Sequence, residues 1–172
     1  MTAAIGDIEK LDTLSEEAPL ALSFYRKLED DERSVRFKIY HRGDPVPLSD
    51  ALPVLENMGF RIHNEHPYRV ELGEIDSWIH DFHMLSAAGV EIDLSRLRAK
   101  LEDAFDAAWR GVVDDDRLNR LVLLAGLSAR ETALLRAYSR FLRQVRIPYS
   151  VEYMEDALAQ YPAIARLLVD LF

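Results

Sequence analysis

One stretch of this chain constrains its fold more than any other. At residues 48–68, LSDALPVLENMGFRIHNEHPY, a helix pattern ends at a glycine and passes directly into a strand pattern. Ser49 is the predicted N-cap, and Asp50 follows in the first turn, where the helix dipole favours a carboxylate. Pro53 falls at the edge of that turn, where its missing N–H costs little. Gly59 suits the left-handed conformation that closes many helices. We therefore expect a short helix followed at once by a strand.

Strand patterns precede and follow this helix. In VRFKIYHR, at residues 35–42, apolar and polar side chains alternate with the period of a half-buried strand. LALSFY, at residues 20–25, is its predicted hairpin partner. A second hairpin is predicted from strands at 60–72 and 78–85, joined by a turn at 73–76. Another helix is expected after Asp93, with an apolar face formed by Leu94, Leu97, Leu101, Phe105 and Trp109.

The predicted order is strand–strand–helix–strand–strand–helix. A ferredoxin-like sheet has the order strand–helix–strand–strand–helix–strand, and its last strand lies beside its first. Residues 20–25 would take that last position from the N-terminal side. A right-handed crossover from residues 35–42 to the strand at Phe60 leaves a gap that the strand at Trp78 fills. The sequence thus predicts an α+β fold: a permuted ferredoxin-like four-stranded antiparallel sheet with helices on one face.

Helix patterns alone follow Gly111, over residues 114–126, 128–146, 150–161 and 162–172. Ser128 and Glu131 fit a capping box, and Gly126 fits a helix C-terminus. We predict three parts: an N-terminal helix at 1–19, a ferredoxin-like domain at 20–112 and an all-α region at 113–172. Because the chain ends on an apolar helical face, LLVDLF, we expect it to be a piece of a longer protein.

Composition excludes several classes of function. The chain has no cysteine, so disulfides, thiolate metal sites and cysteine nucleophiles are ruled out. Its net charge is −9, which disfavours binding to a phosphate backbone. No apolar run approaches the ~20 residues that cross a bilayer, and no secretory signal is recognised. We expect a cytoplasmic protein with neither a nucleic-acid nor a membrane partner.

No catalytic or metal site is predicted. His80 and His83, three apart on a strand, would point to opposite faces, and surface or half-buried histidines are expected. No serine lies in a nucleophile elbow, and no glycine-rich turn would hold a dinucleotide. The acidic triplet at 114–116 is read as a helix N-terminus rather than a cation site. A stripe is predicted to be core packing and not a cofactor site: Leu134, Leu135, Tyr138, Phe141 and Leu142.

The chain resembles, from about residue 20 to residue 172, the segment that precedes the catalytic domain in large bacterial NAD-specific glutamate dehydrogenases. In those enzymes an ACT-type module is followed by a helical region. The residues that carry the resemblance include Arg42-Gly43, Leu52-Pro53, Gly59, Pro67-Tyr68, Trp109-Arg110-Gly111, Asp116, Asn119-Arg120-Leu121-Val122, Arg130-Glu131 and Leu134-Leu135-Arg136-Ala137-Tyr138. His66 and Ala129 depart from the pattern, which has arginine and an aromatic residue there.

The resemblance implies that the parent protein oxidises L-glutamate to 2-oxoglutarate and ammonium with NAD. The NAD site and the catalytic residues would lie in another domain, so this segment would bind no cofactor and perform no chemistry. Its partners would be the other domains of the enzyme and, in a homo-oligomer, further copies. ACT-type modules often bind amino acids where the first strand meets the first helix. The corresponding ligand-binding residues here are Arg42, Gly43, Asp44, Pro45 and Val46, with Asn57 and Gly59 at the far end of the helix.

Two functional hypotheses follow. The first, which we favour, is a non-catalytic regulatory and assembly segment of a glutamate dehydrogenase. The second is a free-standing ACT-type module that senses an amino acid. A plain strand–helix turn with no ligand is the alternative for residues 42–46.

Overall fold

The computed structural model describes the backbone of residues 2–72 and 75–172, and the side chains of 5–71 and 76–172. Gly73 and Glu74, half of the turn predicted at 73–76, lie outside the described residues. The elements in chain order are α1 Thr2–Asp12, β1 Leu20–Tyr25, β2 Ser34–Arg42, α2 Leu48–Asn57, β3 Phe60–Leu72, β4 Ile75–Ser86, α3 Leu94–Trp109, a 3₁₀ helix Arg117–Asn119, α4 Arg120–Ala125, α5 Ala129–Gln144, α6 Val151–Gln160 and α7 Pro162–Asp170.

The four strands form one antiparallel sheet in the order β1-β2-β4-β3. In the first hairpin Phe24 lies opposite Phe37, and in the central ladder Phe37 lies opposite Phe82. A β-bulge shifts the register of β3 against β4 between Ile62 and Asn64. The predicted permuted ferredoxin-like topology, with β1 completing the sheet from the N-terminal side, is confirmed.

One face of the sheet carries the main core. Phe24 stacks on Phe37 with ring centroids 4.2 Å apart, and Phe105 of α3 meets Phe37 edge-on at 4.8 Å. Leu55 and Met58 of α2 are fully buried beside them. This packing follows from the sequence pattern. Alternate residues of a strand share one face of the sheet, and apolar residues three or four apart on α2 and α3 share one face of the helix.

Helix α2 differs from its prediction at the N-terminus. It begins at Leu48 after Pro47, and no side chain caps it. The Ser49 hydroxyl donates instead to the Asp50 carboxylate at 3.1 Å. Pro53 lies in the second turn rather than at the edge of the first. The predictions for Ser49 and Pro53 were therefore wrong, because Pro47, with its fixed φ, already sets the entry to the helix.

Helix α1 covers part of the opposite face of the sheet. Leu11 packs against Tyr40 and Ile79 there. Asp7 receives hydrogen bonds from Lys38 Nζ and the Tyr40 hydroxyl, both at 2.7 Å. Burial, with the neighbouring Asp7 carboxylate, raises the pKa of the Tyr40 hydroxyl. Two helices thus lie on the core face, as predicted, and a third lies across the other face.

The all-α region begins with the acidic triplet. The Asp116 side chain accepts from the Leu118 N–H and caps the 3₁₀ helix, so the last residue of the triplet lies at a helix N-terminus as predicted. The single helix predicted over 114–126 is instead this 3₁₀ turn followed by the short α4. The capping box of Ser128 and Glu131 and the left-handed Gly126 are also confirmed. Helix α4 joins the two parts: its Val122 and Leu123 belong to the sheet's core, whereas its Leu121 belongs to a smaller core among the helices.

The predicted apolar stripe on α5 is only partly buried. Leu135 lies in the core, but Tyr138 and Phe141 are 43% and 56% exposed. The buried face of α5 consists instead of Thr132, Leu135, Arg136 and Ser139. The prediction that the whole stripe is core packing was therefore wrong, because no helix among the described residues covers the side of α5 that carries Tyr138 and Phe141.

Candidate functional site: strand–helix loop and domain junction

The predicted ligand loop, residues 42–46, is fastened to the neighbouring strand at both ends. Gly43 has φ +89°, a conformation that favours glycine, and its N–H donates to the Asp76 carbonyl at 2.8 Å. At the other end the N–H of Val46 donates to Nε2 of His80 at 3.1 Å. The loop is therefore an ordered turn, and a hydrogen bond to β4 holds each of its ends.

His80 is the residue that holds the second end of the loop. It is 3% exposed, and its Nδ1 lies 2.8 Å from Glu65 Oε1. Because Nε2 accepts the Val46 N–H, the proton of a neutral ring is on Nδ1 and is donated to Glu65. An imidazolium would leave the Val46 N–H without an acceptor, so the loop geometry requires the neutral tautomer. The expectation of surface or half-buried histidines was wrong for His80.

The loop carries one positively and one negatively charged side chain. Arg42, at the end of β2, is half-buried, and Asp44 is exposed together with Pro45. The Asp44 carbonyl also lies 2.7 Å from His41 Nδ1, which turns the backbone back toward the strand. The guanidinium of Arg42 and the carboxylate of Asp44 lie two residues apart in the sequence. The structure thus brings together the five predicted loop residues.

Asn57 and Gly59 do not join that loop. Asn57 is the last of the ten residues of α2, which is about 15 Å long, and Gly59 lies two residues beyond it. Gly59 has φ +89°, and a Cβ built on it would lie 3.2 Å from Cβ of Arg120 in α4. The Asn57 side chain donates to the Asp115 carbonyl at 3.4 Å. Gly59 therefore lies against the helical region and not at the predicted ligand loop, and it lines a cavity of about 330 Å³ there.

Arg136 organises the helical side of this junction. It is 4% exposed, and it donates from Nε to Asp116 at 2.5 Å and from Nη2 to Asn119 at 2.9 Å. Arg140 pairs with Asp114 at 2.7 Å. Two residues of the acidic triplet and two arginines of α5 thus form one charge network that ties the 3₁₀ helix to α5.

A carboxylate beside this network carries a perturbed pKa. Glu155 of α6 is 7% exposed, and burial, followed by the nearby charge of Asp116, raises its pKa. Arg117 and Arg136 oppose that shift. The ionised form of Glu155 is therefore disfavoured in the folded protein relative to an exposed glutamate.

Sequence reasoning missed His80, Glu65 and Arg136 as organising residues. His80 shares strand parity with Phe82, which indicates the core face, but nothing local shows that Glu65 meets it across a bulged ladder. Within residues 2–72 and 75–172, no three His, Asp or Glu side chains converge as metal ligands. Nor is any helix in that part of the chain both long and apolar enough to span a bilayer.

Comparison with known proteins assigns both parts. Residues 19–97 match the family model described as glutamate dehydrogenase, ACT3 domain, and residues 113–172 match glutamate dehydrogenase, helical motif 3. Residues 98–112, which include most of α3, separate the two matches.

Curated relatives carry the same name. NAD-specific glutamate dehydrogenases of Halomonas elongata and Pseudomonas aeruginosa are each 44% identical over 98% of this chain. The enzyme of Mycobacterium tuberculosis is 34% identical over the same share. The chain spans only about a tenth of the length of these relatives: 10%, 10% and 11%. With its fold and its two matched segments, the chain belongs to the NAD-specific glutamate dehydrogenase family, of which it comprises the ACT3 domain and helical motif 3.

Proposed function

We propose that this chain is a regulatory and assembly segment of an NAD-specific glutamate dehydrogenase and carries no active site of its own. The observation that supports the proposal best is the tandem match of an ACT domain at residues 19–97 and a helical motif at residues 113–172. The parent enzyme would convert L-glutamate and NAD to 2-oxoglutarate, ammonium and NADH in the cytoplasm. Its NAD would bind in a separate catalytic domain.

The described residues are consistent with a role in support rather than chemistry. The polar side chains that converge, Arg136 with Asp116 and His80 with Glu65, are bonded to one another and fasten structural elements. We further propose that the parent is a homo-oligomer. The strand β3 is an exposed sheet edge that a second copy could meet.

The direct test is an assay of the purified chain with L-glutamate and NAD. NADH formation is followed by absorbance, and a complete glutamate dehydrogenase serves as the positive control. We expect no turnover by the chain alone. Glutamate-dependent NADH formation that scales with the concentration of the chain would overturn the proposal.

A second candidate function is amino-acid sensing at residues 42–46. It is favoured by the adjacent Arg42 and Asp44, which could receive the carboxylate and the ammonium of an amino acid. The buried His80 bond would keep the loop in place for that ligand. On this hypothesis Asn57 and Gly59 would contribute only through the helix that connects them to the loop.

Thermal unfolding with each of the twenty amino acids tests this second function. A ligand at a hundred times its Kd stabilises the folded state by ~2.7 kcal/mol, so a bound amino acid should raise Tm clearly. Arg42→Gln and Asp44→Asn should abolish the shift, whereas Arg61→Gln, an exposed arginine on β3, should keep it. A flat Tm across the whole series would exclude sensing by this chain.

A further inference from the structure

Helix α7 presents its larger apolar side chains to solvent. Ile164, Leu167, Leu168 and Leu171 recur with the spacing of one helical face and are between 38% and 78% exposed. The opposite side of α7 buries the smaller Ala165 and Val169. A helix that turns its wider apolar face outward has a partner surface that the described part of the chain does not fill.

Helix α5 carries a second exposed apolar stripe. Leu134, Tyr138, Phe141 and Val145 lie on one line of the helix, and the last three are 43% to 56% exposed. The stripe extends over the twelve residues 134–145, about 16 Å from end to end, which is the length of a three-turn helix. Tyr138 and Phe172 meet with ring centroids 4.9 Å apart, so the α5 and α7 stripes join at that point.

The charges at the ends of the α5 stripe distinguish between partners. Arg130 lies one turn before Leu134, and Arg146 directly follows Val145. The salt bridges of the helical region engage Arg117, Arg120, Arg136, Arg140 and Arg166; among the described residues, Arg130 and Arg146 form none. The stripe is therefore apolar in the middle and positive at both ends.

A second copy fits this pattern poorly. Arg130 and Arg146 are each eight residues from Tyr138, so antiparallel pairing of two α5 helices about Tyr138 would oppose Arg130 and Arg146. Parallel pairing would oppose each arginine to itself. Like charges placed against each other cost several kcal/mol at an interface. An apolar helix with acidic residues near its ends would instead match both the apolar centre and the charges.

We propose that the α5 and α7 stripes dock an amphipathic helix with acidic ends, supplied by the parent enzyme from outside this segment. This inference rests on the proposed function, and the length of the relatives supports it. The segment is about a tenth of those chains, so most of each polypeptide lies outside it. The stripes are then the surface by which helical motif 3 joins the rest of the enzyme.

A photo-crosslinking residue placed at Phe141 or Leu167 of the complete enzyme tests the partner. The expected product joins either position to a peptide outside this segment that carries apolar helical spacing and acidic residues. A crosslink between two copies of the segment would overturn the proposal, as would no crosslink at either position. The same residue placed at Leu28, an exposed leucine before β2, is the control for random collision.

Substitution tests whether docking stabilises the enzyme. Phe141→Ser with Leu167→Ser should leave Tm of the isolated chain unchanged, because both side chains are exposed. In the complete enzyme the same pair should lower Tm and increase hydrogen exchange in α5 and α7, whereas Leu28→Ser should do neither. Equal effects in the isolated chain and the enzyme, or none in the enzyme, would contradict docking. The proposed function would survive that result, since it is tested separately by turnover of the chain alone.

Discussion

The sheet domain and the helical region bury their apolar residues to very different extents. Phenylalanines from all four strands and α3 fill one continuous core in the sheet domain, with α2 packed beside them. The core among the helices has six buried residues. Among the described residues, twelve of the nineteen exposed large apolar side chains lie after residue 112. The core of the sheet domain is the larger one and includes two residues of α4, whereas the helical region has a small core and most of the exposed large apolar side chains among the described residues.

The largest expected effect tests the shared core. Phe37→Ala removes the ring that contacts Phe24 and Phe105, and should cost about 3–5 kcal/mol in free energy of unfolding. Because α4 contributes to the same core, both regions should lose stability together in denaturant titrations. Phe141→Ala, an exposed phenylalanine on α5, is the matched control and should change stability by less than ~0.5 kcal/mol. Comparable losses of unfolding free energy in the two variants would contradict the difference in burial between the sheet domain and the helical region.

Arg136→Met should affect the helical region first. It leaves the partly buried Asp116 without its partner, and breaking such a pair should cost about 2–3 kcal/mol, below the range for a fully buried pair. Hydrogen exchange should rise in α5 and the 3₁₀ helix while β2 and β4 remain protected. Arg140→Met, which breaks an exposed pair, should cost less than ~1 kcal/mol. Equal loss of protection in the strands would show that the two regions unfold as one.

The sheet domain should respond to acid through Asp30. Its hydrogen bonds from Arg36, with a smaller contribution from the Lys27 N–H, lower its pKa from 3.8 to about 2. A lowered folded-state pKa stabilises the protein above the unfolded value, and that contribution is lost as pH falls from about 4 toward 2. Asp30→Asn should therefore cost about 2 kcal/mol at pH 7 and progressively less in acid. A difference that is independent of pH in urea titrations would contradict the assignment.

Gly59→Ala tests the contact between the regions against a matched glycine. Gly59 and Gly89 both have positive φ, so alanine at either position should cost about 1–2 kcal/mol from the backbone alone. Only at Gly59 would the new Cβ crowd α4, at 3.2 Å from Arg120, while Gly89 has open space. Gly59→Ala should thus lower Tm more than Gly89→Ala. Equal decreases in Tm for the two variants would mean that α4 accommodates the new Cβ at position 59 without loss of stability.

Glu155→Gln should cause the smallest change in stability, and it should stabilise the protein where the other substitutions destabilise it. Burial raises the pKa of Glu155, so its ionisation at neutral pH opposes folding. The penalty is absent below the unfolded-state pKa and grows as pH rises through the folded-state value. The glutamine variant should therefore be slightly more stable than the parent at pH 7 and equal to it at pH 4, as measured by Tm. A destabilised variant at pH 7 would indicate that the carboxylate makes a necessary bond.

Much of the fold was predictable because its signals are local. The alternation of apolar and polar side chains in residues 35–42 predicts strand β2, and Gly59 predicts where the next helix ends and the chain crosses over to β3. Both predictions are confirmed. The candidate site was less predictable. Residues 42–46 do form one loop, but Asn57 and Gly59 contact the helical region instead, since a helix of fixed length separates them from the loop. Whether a ligand binds the loop stays a prediction.

The sequence by itself determined the order of elements, the topology of the sheet and the family, because periodicity, capping and turn chemistry depend on neighbours along the chain. The tertiary structure decided which apolar stripe is core and which is surface, and which charges meet. Tyr138 and Leu135 have similar sequence surroundings, yet one faces solvent and the other the core. His80 meets Glu65, and Arg136 meets Asp116, across fifteen and twenty residues. Packing between distant segments sets these pairings, and no local pattern encodes it.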